Sequence, residues 1–323
     1  MKNSIYPLIT FVFAFLVTLI LTKSIIPVLK KVAKQPIYEE GPSWHLSKSG
    51  TPTMGGIAFI IAITIIASIY SIHIFSRSRN EWFSLIFTLA FALCNSLVGL
   101  IDDVTKLKRA QNGGLTPKQK IILQTLFSVL FLFGRSIIFG DSTKIYFGKC
   151  SFDIGIAYYL LALIVLLGII NCANLTDGID GLASSVALTI CIFLFFASSS
   201  SSISMLSIIT AGAVLGFLVF NIHPAKIFMG DTGSLFLGAF IASAAFSMKA
   251  IPSMLTVSIV YIIEGVTVIL QVIYYKKTKK RLFKMAPLHH HLEKCGYDES
   301  TICIFGIMIT MVFSILSYAI LPR

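Results

Sequence analysis

Ten apolar stretches, each about as long as a membrane-spanning helix, recur along the 323 residues of the chain. A helix needs about 20 predominantly apolar residues to cross the hydrocarbon core of a bilayer. Only 12% of the residues are charged, whereas soluble proteins carry about 25%. The sequence therefore predicts an all-α polytopic membrane protein and excludes soluble, disordered and fibrous classes. The predicted spans are approximately 5–26, 55–74, 82–101, 120–139, 155–171, 181–198, 203–220, 234–250, 253–275 and 301–321.

The gaps between these spans are too short for an independent soluble domain, so we expect residues 1–323 to form one membrane domain. The first span follows Lys2 and ends at Lys23 without a small-residue cleavage site. It is also longer than the apolar core of a signal peptide. We therefore expect it to be a retained span.

The basic residues predict which ends of the spans face the cytoplasm. Assigning each Lys and Arg to the nearer side places 17 on one side and 8 on the other, with Lys23 left inside the first span. In membrane proteins the cytoplasmic loops carry the excess of basic residues. The richer side, which receives the loops after spans 1, 3, 5, 7 and 9, is therefore predicted to be cytoplasmic. Both termini are predicted to lie outside.

The acidic residues follow the same division, although the positive-inside rule does not govern them. Of the 14 acids, only Glu81, Asp141 and Asp153 fall on the predicted outer side. The net charge of +12 is explained by the excess of basic residues in cytoplasmic loops and by their contact with anionic lipid head groups. The same charge can also steer an anionic substrate to the site. It does not indicate a nucleic-acid partner. The carboxylates on the cytoplasmic side indicate that a site there uses them.

Two adjacent aspartates, Asp102 and Asp103, follow the third span. Carboxylates at a helix C-terminus oppose the helix dipole unless a cation compensates, and Lys106 stands at the right spacing for an ion pair. The structural explanation of the pair is this local compensation. The functional explanation is a Mg²⁺ site or a general base, because carboxylates bind hard cations and neighbouring ones raise each other's pKa.

The loop after the fifth span, residues 171–183, is rich in amides and acids. It contains no Lys or Arg, and its polar side chains recur every three residues at Asn171, Asn174, Asp177 and Asp180. A turn between spans needs polar residues and glycines, but it does not need two unpaired carboxylates. We therefore expect a neighbouring loop, a cation or a ligand to satisfy them.

The loop after the seventh span, residues 220–239, places Asp231 between Gly230 and Gly233. Glycines let the backbone approach a bound group closely. We expect Thr232 or Ser234 to cap the next helix, whose N-terminus then attracts anions. Asp231 therefore fits a carboxylate–metal–phosphate arrangement, and the alternative is an ordinary capped return into the membrane.

Two further segments on the predicted cytoplasmic side carry polar candidates. Lys48 and Thr53 precede the second span in a segment that contains Pro and Gly. Three consecutive histidines, His289, His290 and His291, precede the tenth span. Side chains of consecutive residues diverge too much to share one tetrahedral metal, but these histidines can donate to phosphate oxygens.

Together, these loops resemble the MraY family of bacterial cell-wall synthesis, the phospho-N-acetylmuramoyl-pentapeptide-transferases. The resemblance covers the whole chain, with the motif loops in family order: GTPTMGG (50–56), IDDVTK (101–106), NLTDGIDG (174–181), FMGDTGS (228–234) and APLHHHLE (286–293). The aspartate motifs recur across the wider superfamily that loads sugar phosphates onto polyprenyl phosphates. GTPTMGG and the histidine triplet are more specific.

The resemblance implies a reaction at the bacterial cytoplasmic membrane. Phospho-MurNAc-pentapeptide passes from UDP-MurNAc-pentapeptide to undecaprenyl phosphate, giving lipid I and UMP, with Mg²⁺ as the cofactor. Asp231 matches the family's metal ligand, and Asp102 and Asp103 match its essential pair. Of that pair, we favour Asp103 to orient or deprotonate the lipid phosphate.

The remaining site residues are also implied by the resemblance. The three histidines are expected to face the diphosphate or the sugar. Phe228 is expected to stack on the uracil base, with Lys106 and Asp180 as further uridine contacts. The full set of expected substrate contacts is Lys48, Thr53, Lys106, Asn171, Asn174, Asp177, Asp180, Asn221 and Phe228.

Two other functions remain open at this point. A related transferase acting on UDP-GlcNAc would share the aspartate motifs, but the segment MAPLHHHLE favours the muramoyl-pentapeptide branch. A secondary transporter would carry charges near the middle of the membrane on broken helices, whereas few charged residues lie within the predicted spans, Lys23, Arg135, Lys249 and Glu264 among them.

The sequence also leaves several details of the transfer open. These are direct transfer against a covalent intermediate, the third residue of the pentapeptide, the polyprenyl length and the oligomeric state, a homodimer included. We favour direct transfer, because a phosphate monoester already carries an anionic oxygen at neutral pH.

Overall fold

The computed structural model describes residues 5–33, 48, 50–109, 114–140, 143–248 and 251–321. Within these ranges the chain is almost entirely helical. Its elements in chain order are α1 (Tyr6–Val32), α2 (Gly56–Phe75), α3 (Arg79–Arg109), α4 (Pro117–Phe139), β1 (Lys144–Phe147), β2 (Cys150–Asp153), α5 (Ala157–Thr176), α6 (Leu182–Ala197), α7 (Ser201–Asn221), α8 (Gly230–Phe246), α9 (Ile251–Val257), α10 (Ile259–Thr278), α11 (Leu288–Glu293) and α12 (Glu299–Ala319).

In the described part of the chain, eight helices are long and apolar enough to cross a membrane, namely α1, α2, α3, α4, α5, α7, α10 and α12. The sixth and eighth predicted spans correspond to shorter apolar helices, α6 with 16 residues and α8 with 17. At 1.5 Å per residue these two are about 24–26 Å long, slightly less than a bilayer core. The chain is a multi-pass membrane protein, and the count of ten crossings stays a prediction.

The ninth predicted span, 253–275, is divided in the structure. Helix α9 ends at Val257, and α10 begins at Ile259 after Ser258. Helix α3 continues to Arg109, well beyond the predicted end of the third span at residue 101. Asp102 and Asp103 therefore lie inside a helix rather than at its end. The segment after them contains no Gly or Pro before residue 113, so nothing in its local sequence stops the helix.

The all-α prediction holds for the apolar stretches but misses a small hairpin between α4 and α5. Strands β1 and β2 pair antiparallel with Lys144 opposite Asp153 and Phe147 opposite Cys150. Gly148 has a φ of 60°, which suits the two-residue turn between the strands. The short connection was too polar to be a span and too short to show a strand period clearly.

Helix α8 lies at the centre of the helix bundle. Every residue from Thr232 to Phe246 is buried, and the helix packs mainly against α3 and α5. A Cβ placed on Gly238 would lie 2.9 Å from Ile170 Cα, so glycine allows α5 to approach closely. This packing fixes the N-terminus of α8, which carries Asp231.

The two ends of the bundle are distinguished by hydrogen bonds between loops. At the end of α1, Thr53 N donates to Ala33 O at 2.9 Å, which places the 50–56 motif there. At the opposite end, Gly148 N donates to Ile320 O at 2.9 Å, just after α12. The start of α1 and the end of α12 therefore lie away from the 50–56 motif. Which end faces the cytoplasm stays a prediction from the basic residues.

Candidate active site

Three aspartates converge where α3 meets the N-terminus of α8. Asp102 and Asp103 lie on α3, and Asp231 lies in the first turn of α8. One carboxylate oxygen from each lies within 4.8 Å of the others. Asp102 and Asp103 are buried, and Asp231 is half-buried. Carboxylates this close repel one another, so the cluster needs positive charge.

Two lysines supply that charge. Lys106 Nζ lies 2.6 Å from Asp102 Oδ2 and 3.3 Å from Asp231 Oδ2. Lys120, in the first turn of α4, has its Nζ 2.5 Å from Asp231 Oδ2 and 3.0 Å from Asp102 Oδ2. The predicted pairing of Lys106 with Asp102 is confirmed. Sequence reasoning missed Lys120, because a lysine at the start of a span reads as an ordinary interfacial charge.

Asp103 holds the N-terminus of α8. Its Oδ1 accepts a hydrogen bond from Asp231 N at 3.1 Å, and its Oδ2 accepts from Thr232 N at 2.9 Å and Thr232 Oγ1 at 2.7 Å. An anionic acceptor satisfies N–H groups that have no partner within the helix and complements the helix dipole. The prediction that Thr232 or Ser234 caps this helix is wrong. The α3 carboxylate takes these donors, and Ser234 Oγ donates to Gly230 O at 3.1 Å.

The segment before α2 closes one side of the acid cluster. Gly230 has a φ of +72°, and a Cβ there would lie 2.6 Å from Asp103 Oδ2 and 2.9 Å from Thr53 Oγ1. The Thr53 hydroxyl is therefore near Asp103. Phe228 N donates to Pro52 O at 2.9 Å, which ties the two glycine-containing motifs together.

The end of α5 adds an amide and a fourth carboxylate. Asn174 Nδ2 donates to Asp231 Oδ1 at 3.1 Å and to Ser234 Oγ at 2.8 Å. Asp177 follows directly after α5. Lost hydration, and then repulsion from Asp231, Asp103 and Asp180, raise the pKa of Asp177 well above its ordinary value. Asp177 therefore lies in the same electrostatic field as the acid cluster.

A second charged cluster joins four separate segments. Lys48 Nζ lies 2.6 Å from Asp180 Oδ1 and 2.7 Å from Glu299 Oε2. His223 Nδ1 lies 3.0 Å from Asp180 Oδ2. The prediction that a neighbouring segment satisfies the acids of residues 171–183 is thus confirmed for Asp180. Glu299 and His223 were not singled out from the sequence, and the only available signal for Glu299 was its place among the predicted cytoplasmic acids.

Two of the predicted substrate contacts have partners within the bundle. Asn171 Nδ2 donates to Gln124 Oε1 on α4 at 2.8 Å. Asn221 Nδ2 donates to Ile227 O at 3.0 Å, and its Oδ1 accepts from Ser184 Oγ at 2.7 Å. These bonds give both amides a structural role, and their contact with substrate stays a prediction.

His289, the first histidine of the triplet, is fully buried on α11. Its backbone N lies 3.2 Å and its Nδ1 lies 3.1 Å from Glu264 Oε2 on α10. Its Nε2 packs against Gly178, where a Cβ would overlap the ring. Glu264 and His289 therefore support the segment that contains Asp177 and Asp180.

The other two histidines have partners in their own segment. His290 Nδ1 lies 2.6 Å from Glu293 Oε2. His291 Nδ1 accepts a hydrogen bond from Lys284 N at 3.2 Å. The rings of His289 and His290 contact each other edge to face, with their centroids 4.2 Å apart, so the expected divergence of the consecutive side chains does not hold for this pair. Their predicted contact with the diphosphate or sugar is not tested by these bonds and stays a prediction.

Comparison with known proteins agrees with the motifs. Glycosyl transferase family 4 matches residues 82–249, and signature 1 of phospho-N-acetylmuramoyl-pentapeptide-transferase matches residues 48–60. The chain is 44% identical over 298 residues to the enzyme of that name from Bacillus pumilus, covering 90% of each chain. It is 43% identical over 298 residues to the one from Bacillus subtilis, again covering 90% of each. It is 40% identical over 307 residues to the one from Staphylococcus carnosus, covering 92% of this chain and 94% of the relative.

The chain belongs to the phospho-N-acetylmuramoyl-pentapeptide-transferase family. The resemblance seen in the motifs is thereby confirmed. The two matched segments of this transferase contain the three aspartates of the acid cluster, both of its lysines and Lys48. Glu264, the histidine triplet and Glu299 lie beyond residue 249, so their placement in the site rests on the structure.

Proposed function

We propose that this transferase moves phospho-MurNAc-pentapeptide from UDP-MurNAc-pentapeptide to undecaprenyl phosphate, at the cytoplasmic face of the bacterial inner membrane. The products are lipid I and UMP. The observation that carries the proposal is the cluster of Asp102, Asp103 and Asp231 with two lysines, in a chain 44% identical to a transferase of this name. A water-soluble donor and a lipid-tethered acceptor meet at the membrane surface, where a charged site at one end of the helices serves both.

The donor set of the acid cluster fits Mg²⁺. Hard cations bind carboxylate oxygens, and one oxygen from each aspartate lies within 4.8 Å of the others. Asp231 is the proposed main ligand, with Asn174 holding its Oδ1 at 3.1 Å. When bound, Mg²⁺ neutralises the diphosphate and stabilises the departing UMP.

The contacts favour different roles for the two aspartates of α3. Both oxygens of Asp103 accept hydrogen bonds from the start of α8, so Asp103 orients Asp231. Asp102 has its Oδ1 bound to Leu115 N at 2.7 Å, while its Oδ2 faces both lysines. We therefore favour Asp102 over the sequence-based choice, Asp103, to accept a proton from the lipid phosphate or to orient it.

The proposed transfer is direct. An anionic oxygen of undecaprenyl phosphate attacks the phosphorus attached to the sugar, forming a new P–O bond. The bond from that phosphorus to the bridging oxygen breaks, and its electron pair leaves with UMP. The second pKa of a phosphate monoester is about 6, so the acceptor is largely ionised and a protein nucleophile offers little gain. Lys106 and Lys120 lie beside Asp231, and we propose that they balance part of the charge of the phosphates, a different role from the uridine contact expected for Lys106.

The test uses purified protein with Mg²⁺, undecaprenyl phosphate and one donor at a time. We expect UMP release with UDP-MurNAc-pentapeptide. Release with UDP-GlcNAc alone would instead assign the protein to the related superfamily branch.

A single-turnover experiment without undecaprenyl phosphate, in detergent stripped of lipid carrier, tests direct transfer. We expect no burst of UMP. A stoichiometric burst, with labelled sugar phosphate trapped on Asp102, Asp103 or Asp231, would show a covalent intermediate.

A further inference from the structure

Glu299 connects three segments that are distant in sequence. It lies in the first turn of α12, and only 9% of its side chain is exposed. Its Oε2 accepts a hydrogen bond from Lys48 Nζ at 2.7 Å and another from Asp180 N at 2.7 Å. Its Oε1 lies 3.6 Å from His223 Nδ1. A single carboxylate therefore contacts the segment before α2, the loop after α5 and the loop after α7.

Asp180, the partner of Glu299, has all its polar groups engaged. Its Oδ1 accepts from Lys48 Nζ at 2.6 Å, and its Oδ2 accepts from Ala225 N at 2.9 Å. Its carbonyl accepts from Cys303 Sγ on α12 at 3.2 Å. The loop that begins at Asp177 is therefore held at Asp180 from several directions, with Glu299 taking its backbone N–H.

The same contacts give Lys48 a structural role. Its ammonium group lies between two carboxylates, one from Asp180 and one from Glu299. The ammonium fills the position where a cation would neutralise these acids. Lys48 therefore bridges the two segments in this arrangement, and its expected contact with substrate stays a prediction.

We propose that Glu299, acting with Lys48, is a positioning residue that holds the 177–181 loop in the shape that binds the nucleotide-sugar donor. The proposal rests on the proposed function for the identity of the donor. Glu299 acts through Asp180 and Lys48 and does not itself touch the reacting phosphates.

The physical basis is the cost of leaving buried groups without partners. Removing the Glu299 carboxylate leaves the Asp180 N–H and one side of the Lys48 ammonium unsatisfied. The loop then rearranges to hydrate them, and the donor must restore its shape on binding. Glu299→Gln retains an amide oxygen that can accept the Asp180 N–H bond, so it preserves part of the function.

The test compares Glu299→Ala, Glu299→Gln and a matched control, Asp298→Ala. Asp298 is the neighbouring acid at the same helix end, is exposed and caps α12 by accepting from Thr301 N at 3.2 Å. We expect Glu299→Ala to raise KM for the UDP-sugar donor about tenfold or more, equivalent to about 1.4 kcal/mol. We expect kcat and the KM for undecaprenyl phosphate to change less than about threefold, and Glu299→Gln to recover most of the donor KM.

A second measurement does not depend on turnover. Hydrogen–deuterium exchange of peptides covering 177–183 should be faster in Glu299→Ala than in the wild type, and unchanged in Asp298→Ala. The Lys48→Met/Glu299→Ala double variant should raise donor KM no further than the larger single effect, because both residues act on one loop.

The outcomes separate this inference from the proposed function. An unchanged donor KM and unchanged exchange in Glu299→Ala would overturn the positioning role. If Asp298→Ala changed the donor KM and the exchange rate as much as Glu299→Ala does, Glu299 would only stabilise the end of α12, and the positioning role would be wrong. If the wild type released no UMP, the proposed function would fail, while the exchange experiment would still decide whether Glu299 orders the loop.

Discussion

Lys120 offers the sharpest test of the acid cluster, because it was found only in the structure. Its Nζ lies 2.5 Å from Asp231 Oδ2 and 3.0 Å from Asp102 Oδ2. We predict that Lys120→Met lowers kcat/KM about 100-fold at saturating Mg²⁺ while the protein still folds. The lost ammonium no longer balances the phosphate charge in the transition state.

The two ion pairs with the carboxylates set the scale, because a pair between Lys120 and a transferring phosphate at the same position contributes a similar net free energy to the transition state. At an effective dielectric constant of about 20, each contact contributes roughly 6 kcal/mol of Coulomb energy before the cost of dehydration. Breaking a fully buried pair costs about 3–5 kcal/mol, whereas a surface pair contributes less than about 1 kcal/mol. Because 18% of the Lys120 side chain is exposed, we place its net contribution at about 2–3 kcal/mol. A loss of about 2.7 kcal/mol corresponds to 100-fold in rate.

The assay is UMP release across a Mg²⁺ titration, with Lys118→Met as the control. Lys118 lies two residues earlier on α4 and is exposed, so its removal changes the net charge equally without touching the cluster. The half-saturating Mg²⁺ concentration should fall in Lys120→Met, because the carboxylates lose a competing cation. Activity within threefold of wild type at saturating Mg²⁺ would refute the assigned role of Lys120.

Three further variants test the same site. Asp231→Asn should abolish UMP release at all Mg²⁺ concentrations in folded protein, because an amide is a poor ligand; near-normal activity would remove Asp231 from the metal site. Asp103→Asn should lower the free energy of unfolding by about 1.5–3 kcal/mol, because the charge-assisted hydrogen bonds to α8 are lost; an unchanged unfolding temperature would contradict this. Gly178→Ala should lower activity at least about tenfold by displacing His289, with His289→Ala partly restoring it; no loss would refute the close contact.

The sequence was sufficient to locate the long apolar helices, while the side of the membrane on which each loop lies stays a prediction. An apolar stretch of bilayer length can be recognised directly from the sequence, and successive membrane crossings must alternate in direction. Local pairs were also predictable, since Lys106 stands four residues after Asp102 on one helix face. The motif resemblance then supplied the family, which the comparisons confirmed.

The sequence did not predict partners that depend on how the helices pack. Lys120 is 111 residues from Asp231, and Glu299 is 251 residues from Lys48. In both cases each residue alone resembles an ordinary charge near the end of a span. Only the contact between helices shows which carboxylate each lysine neutralises.

The N-terminus of α8 shows most clearly which features the sequence predicts and which depend on packing. Hydrophobicity and the flanking glycines located this helix and made Asp231 a candidate ligand from the sequence alone. Local propensity pointed to Thr232 or Ser234 as the cap, but the packing of α3 against α8 brings Asp103 within 3.1 Å of Asp231 N instead. The sequence by itself determined which segments form apolar helices and which loops carry the acids, because hydrophobicity and helix spacing are local properties. Only the tertiary structure decided which acid caps α8, which lysines neutralise the acid cluster and which residue holds the 177–181 loop, because these contacts depend on which helices lie side by side.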